Sequence, residues 1–348
     1  MALPLHSRPV GQLSFLSLSS VSSVSSASSA LKLFWFLLSV GCFGMAAQAQ
    51  AYPSKPIRFI VNSSPGGAPD ILARALGQKI SESVGQPVIV DARQSAGGII
   101  SGEVAAKAAP DGYTVLLAGA ALFGTLPATK ARLPFRPFDD FAPVTLVAES
   151  PNLLVVHPAL PAKSVPQLVE LARAKPLLFA SAGPLTPAHL AGELFNALAG
   201  TRMTHVPYKG SAPALVDLIS GEVQVFITAP ISALPHVQAG RVRALATTGA
   251  QRAPALPALP TIGESLPGYE ITQWWGVVVP AGTPPAVRSR LHAEIIKALA
   301  APDLRDRFAS QGALTRGGSP AELARFMKTE FARTQRIISK AGIPVEKP

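Results

Sequence analysis

Two turn sequences carry the residues best suited to hold an anion. The first is Ser64-Pro65-Gly66-Gly67-Ala68-Pro69-Asp70, which joins an apolar run to an amphipathic stretch. Paired glycines let the backbone approach a ligand closely, and Pro69 has the fixed φ favoured in the first turn of a helix. Free N–H groups and the positive end of the helix dipole then attract a carboxylate without any cationic side chain. The same residues also suit a plain strand-to-helix turn, with Asp70 simply favourable in the first turn. The second turn is Ser181-Ala182-Gly183-Pro184-Leu185-Thr186-Pro187, where Thr186 caps a helix and Pro187 fills its first position. Two such helix ends from different halves of a molecule, facing one crevice, say more together than either does alone.

Other chemistry finds little support. His189 falls in the first turn of a helix and His205 at a strand end, positions read as packing or surface. No two histidines stand at i, i+4 with an acid between, and there is neither a G-x-S-x-G elbow nor a G-x-G-x-x-G or phosphate loop. With no nucleophile–base pair, metal set or paired carboxylates in view, the sequence reads as a binding protein rather than an enzyme, and no cofactor is called for. Trp274 and Trp275 are neighbours on an expected strand, so their rings point to opposite faces, one to the core and one to a crevice.

The elements that would position these residues alternate between two periods. Short apolar runs at 57–61, 88–90 and 114–117 read as strands, with helices over 71–83 and 99–108 between them. A second series has strands at 153–156, 178–180, 203–206, 223–227 and 243–247, with helices over 165–174, 187–199, 211–220 and 233–239. Gly200 and Gly221 stand where helix ends need them. A strand over 274–279 follows a proline-rich loop, and the tail is helical over 285–299, 302–311 and 320–340. Alternation of this kind is α/β architecture, with parallel strands whose C-terminal ends open on a crevice. The expected plan is two similar halves, one from 52–152 plus 247–348 and one from 153–246, with the chain returning to the first.

Composition bounds the reading. The chain has 348 residues, 48% hydrophobic and 15% charged, enough for two cores and too apolar for disorder. Residues 1–51 differ: a serine tract (Ser14 to Ser29), Lys32, an apolar run from Leu33 and an Ala49-Gln50-Ala51 ending describe a secretory signal cleaved after Ala51. The alternative is a retained anchor, although Ser39, Gly41 and Gly44 break the run below the ~18 apolar residues a span needs. Cys42, the only cysteine, sits here, either as a small core residue of the leader or in a loose lipid-attachment pattern. Cleavage leaves no cysteine, so neither a disulfide nor a thiolate metal site is expected. The mature chain is expected to be periplasmic, soluble and monomeric. Its formal charge, +11 overall, falls to +9 once Arg8 and Lys32 are lost. Scattered Lys and Arg without aromatic interleaving argue against nucleic acid and leave an anionic small molecule as the better partner.

Tyr52-Pro53-Ser54-Lys55-Pro56-Ile57-Arg58, Pro65-Gly66-Gly67, Asp70-Ile71-Leu72-Ala73-Arg74, Ala109-Pro110-Asp111-Gly112-Tyr113-Thr114 and His205-Val206-Pro207-Tyr208-Lys209-Gly210 form an ordered set. The set, which extends over the whole mature chain, resembles Bug-type receptors, the substrate-binding components of tripartite tricarboxylate transporters. The resemblance implies a type II periplasmic-binding-protein fold with two lobes closing on a ligand. It further implies a small carboxylate ligand and delivery to membrane transporter subunits; a sensor kinase is the alternative partner. It places ligand-binding residues at Ser64, Pro65, Gly66, Gly67, Ala68 and Asp70, at Ala120 and Ala121 after the third strand, and at Ser181, Ala182, Gly183, Thr186 and Thr228 in the second lobe. The chain departs from the family at Ala68, Ala120, Ala121 and Ile99, where relatives carry more polar residues, and near Thr228 and Ala229, where they carry Asp or Asn. Those losses point to a ligand less polar than citrate or aspartate.

Overall fold

Strand β1 (Ile57–Val61) alternates its burial because its side chains leave opposite faces of a pleated sheet, Phe59 and Val61 one way and Ile60 the other. The computed structural model describes residues 52–346; the expected leader over 1–51, with Cys42, lies outside the described residues. After β1 come α1 (Ala68–Val84), β2 (Val88–Ala92), α2 (Ile99–Ala106) and β3 (Thr114–Gly119). A π-turn over Ala121–Thr125 runs into the short α3 (Leu126–Thr129), and β4 (Phe141–Pro151) leads directly to β5 (Leu153–Val156). The second series is α4 (Val165–Ala174), β6 (Leu178–Ser181), α5 (Pro187–Ala199), β7 (Thr204–Pro207), α6 (Ser211–Ser220), β8 (Val225–Thr228), α7 (Pro230–Gln238) and β9 (Arg243–Thr247). The chain ends with β10 (Thr272–Pro280), α8 (Pro285–Ala300), α9 (Pro302–Ser310), β11 (Leu314–Gly317) and α10 (Pro320–Ala341).

Two mixed sheets result. The first has the order β11-β4-β10-β3-β1-β2, and the second the order β7-β6-β8-β5-β9. In each, three strands are parallel, as the strand–helix alternation requires, and the antiparallel members are strands that cross between sheets or return to them. Each sheet carries an apolar cluster on either face. Trp275, Val277 and Val279 join one side of the first sheet while Trp274 and Val278 join the other.

Three chain segments meet where the chain passes between the sheets, and one side chain stitches them together. Asn152 N–H donates to Thr248 Oγ1 at 2.7 Å, and Thr248 Oγ1 donates onward to Ile271 O at 2.5 Å. Backbone bonds Thr248 N–H to Asn152 O and Ile271 N–H to Thr248 O, both 2.9 Å, complete the junction. Helix α10 also bridges the halves, with Leu323 and Met327 in a first-sheet cluster and Ile338 in a second-sheet cluster. Among the described residues no helix is long and apolar enough to cross a membrane.

Candidate functional site

Parallel strands deliver their following loops to one edge of a sheet, and here such loops from both sheets line one cavity. The cavity between them has a volume of about 80 Å³.

Helix starts dominate its walls. Ala68 and Pro69 open α1, Thr186 and Pro187 open α5, Gly210 and Ser211 open α6, and Thr228 and Ala229 open α7. Three of these helices, α1, α6 and α7, have an N-cap residue that makes no side-chain capping bond (Gly67, Gly210 and Ala229), so their first-turn N–H groups are not taken by a cap. Thr186 does cap α5: its Oγ1 accepts from His189 N–H at 3.4 Å and donates to Gly183 O at 2.7 Å. Ala120 and Ala121 bring the start of the π-turn to the same space. Among the described residues no Asp, Glu, Lys or Arg lines the cavity. Its electrostatic provision is the positive ends of helices together with neutral polar side chains, among them Asn62, Ser63, Gln94, Ser95, Ser101, Thr186, Ser211, Thr228 and Gln273, and the unpartnered indole N–H of Trp274.

The expected site residues divide into two groups. Ala68, Ala120, Ala121, Ala182, Thr186 and Thr228 line the cavity; Ser64, Pro65, Gly66, Gly67, Asp70, Ser181 and Gly183 do not. Several of the second group have structural roles. The Asp70 carboxylate accepts from Gly66 N–H and from Arg74 Nε, both at 3.0 Å, and pairs with Arg74 Nη2 at 2.9 Å, so it ties the loop rather than facing the space. Gly67 is needed because a Cβ there would stand 2.2 Å from Ser63 Oγ. Pro65 and Gly66 are exposed at the rim, and Ser64 faces Gly210 across the cleft. Ser181 is fully buried; its Oγ donates to Gly183 O at 2.9 Å and lies 2.6 Å from His205 Nε2, which must then be the proton donor to it. Gly183 adopts φ 128, and a side chain there would press on Tyr208 O.

Several lining residues escape sequence reasoning. Asn62 directly follows β1 and Gln94 follows β2 by two positions, so the strand-end rule marks both places without marking the side chains. Asn62 Oδ1 accepts from Ser95 N–H at 3.1 Å, which locks the second of these loops to the first. Gln273 comes from the antiparallel β10 and had no signal. Both tryptophans are buried and both reach the cavity wall, so the division into one core ring and one crevice ring is not what the structure has: the rings sit in clusters on opposite faces of the sheet.

Behind the second-lobe loop, the rings of His189 and His205 stack with centroids 4.1 Å apart. Burial, and then the neighbouring His189, push His205 down to about 4, against a smaller opposing pull from Glu193. His205 is therefore neutral at pH 7, and the histidines support the loop from outside the cavity.

Two α/β halves stitched at crossing strands and closed on a neutral, amide-rich cavity define a periplasmic-binding-protein fold of the receptor type. Residues 72–343 match the model of the tripartite tricarboxylate transporter family receptor, and the chain belongs to that family of periplasmic solute-binding proteins, which includes the Bug-type receptors. The chain is 44% identical over 84% of its length, and 88% of the relative's, to the UPF0065 protein in the tcbD-tcbE intergenic region of Pseudomonas sp. strain P51. Rpa4515 of R. palustris, solved with adipate, superimposes with a TM-score of 0.82 at 36% identity, covering 85% of this chain and all of that one. MatC of Rhodopseudomonas palustris, solved with bound malate, gives 0.77 at 29% identity, covering 82% of this chain and all of that one.

Proposed function

We propose that this receptor captures a small carboxylate that bears no amine, by closure of a lobe formed from 52–152 plus 247–348 on a lobe formed from 153–246, and hands it to the membrane subunits of a tripartite transporter. The observation that carries the reading is the cavity wall: several helix N-termini, neutral side chains and no charged residue. Positive helix ends favour a carboxylate. An ammonium group would be desolvated there with no Asp or Glu to meet it, which is costly. Leu122, Ala118 and Trp274 supply apolar wall for a short carbon chain, and the volume suits an acid of a few carbons. The adipate and malate held by the two similar receptors are ligands of this chemical class.

The test is calorimetry and thermal unfolding of the purified protein against adipate, malate, benzoate, citrate and L-aspartate. A ligand at 100 times its Kd should stabilise the protein by about 2.7 kcal/mol. Adipate or a similar amine-free acid is expected to bind, and L-aspartate is not. Preference for L-aspartate, or no response to any carboxylate, overturns the reading.

A further inference from the structure

We propose that Leu185 is a closure anchor, a positioning residue that sets ligand affinity from outside the ligand site; the inference rests on the receptor reading above. Among the described residues Leu185 is the one non-glycine at positive φ, 61°. A branched side chain in the left-handed region carries strain, and such strain persists only where the surroundings hold it. Two surroundings do so here. Behind it, Leu185 N–H donates to His189 Nδ1 at 3.3 Å. In front, the side chain leaves its own half altogether and packs against the cluster of the first sheet that contains Phe123, Leu122 and Leu126.

The position matters as much as the contact. Leu185 follows β6 of the second sheet and directly precedes Thr186, which lines the cavity, yet Leu185 itself does not line it. Its apolar contact with the opposite half therefore exists only while the halves are together, and owes nothing to the ligand. The polar contacts that cross nearby are thin. Gln94 Nε2 donates to Ala182 O at a long 3.4 Å, and Ser64 Oγ is buried beside Gly210 without a hydrogen-bond partner. Other apolar crossings, Ala229 and Ile231 at the start of α7 against a first-sheet cluster and Ala128 of α3 against a second-sheet cluster, come from residues with ordinary backbone conformations. A contact made only in the closed state raises the population of that state, and apparent affinity rises with the binding-competent fraction.

The test uses Leu185→Gly, Leu185→Ala and Leu185→Met, each checked for native circular dichroism. Small-angle scattering on the unliganded proteins needs no ligand: a larger radius of gyration in the glycine and alanine variants, and not in the methionine variant, supports the anchor. Adipate calorimetry is expected to show Kd raised about tenfold in the glycine and alanine variants, a change of about 1.4 kcal/mol, and within twofold of wild type in the methionine variant. The sign separates an anchor from a merely local role. Glycine adopts φ 61 freely, so a residue that served only its own loop would leave Leu185→Gly binding as well as wild type or better. Equal radii with an unchanged adipate Kd overturn the anchor. If wild type binds no carboxylate, the receptor reading falls, and the scattering comparison alone decides the anchor, equal radii overturning it.

Discussion

Asp70 shows how the place of one residue can be legible while its contacts are not. Its location at the start of α1 follows from the glycine pair, the proline and the apolar period that comes after, all visible in the sequence. Its carboxylate Oδ2, however, accepts from Gly66 N–H and Arg74 Nε, while Oδ1 has only the charge of Arg74 Nη2 beside it, contacts that need the folded turn to be seen. Asp70→Ala is expected to destabilise the protein by about 1–2 kcal/mol, the range for a charge-assisted bond at a helix start. It should also weaken adipate binding several-fold, since Ala68 and Pro69 would lose their position. Urea unfolding and calorimetry check the two effects; unchanged stability would refute the loop-tying role. Asn62, Ser63, Gln94 and Gln273, four of the polar residues at the cavity wall, lie in loops and an antiparallel strand without a motif. Nothing in residue type or spacing distinguishes them from surface polar residues, so only the closed fold reveals them.

Elements were legible where their period was long and their ends were marked. Helices over 165–174, 187–199 and 211–220 start and stop in the structure where caps, prolines and glycines place them. Strand β4 was not legible, because Pro143 argues against a central strand. The sheet accommodates it at a register shift opposite Val277 and Val278. Strand β11 is four residues at a sheet edge, too short to alternate visibly. The element that carries β7, α5 and the loop between β6 and α5 also has a pH dependence. His205 stacks between His189 and Phe179, bonds Ser181, and has Glu193 nearby. Its folded value, about 4, lies below the ordinary 6.5, so the unfolded chain binds more protons between those limits. Stability contributed by neutral His205 is complete above pH 6.5 and is lost as pH falls towards 4, by roughly 3 kcal/mol at most. His205→Leu should flatten the fall in urea-derived stability over that window. A slope as steep as that of wild type would assign the acid sensitivity elsewhere.

At the scale of the whole molecule, the proposed closure asks two halves to move as bodies yet stay joined, and the junction at Asn152, Thr248 and Ile271 is where that demand falls. Neighbouring threonines there provide a test with opposite signs. Thr248 Oγ1 accepts from Asn152 N–H and donates to Ile271 O, and Thr248 is fully buried. Thr248→Val keeps the shape but strands one buried donor and one buried acceptor, each costing about 1–3 kcal/mol, so a loss of roughly 2–6 kcal/mol is expected. Thr247 is equally buried, but its Oγ1 has no hydrogen-bond partner. Replacing that hydroxyl with a methyl group removes an unpaired polar atom, so Thr247→Val should be neutral or stabilising. The two variants carry the same chemical change one residue apart, so volume and denatured-state effects nearly cancel between them. Chemical denaturation that gave equal losses for both would mean the crossing segments are not held by the Thr248 bridge, and lobe motion would then need another pivot.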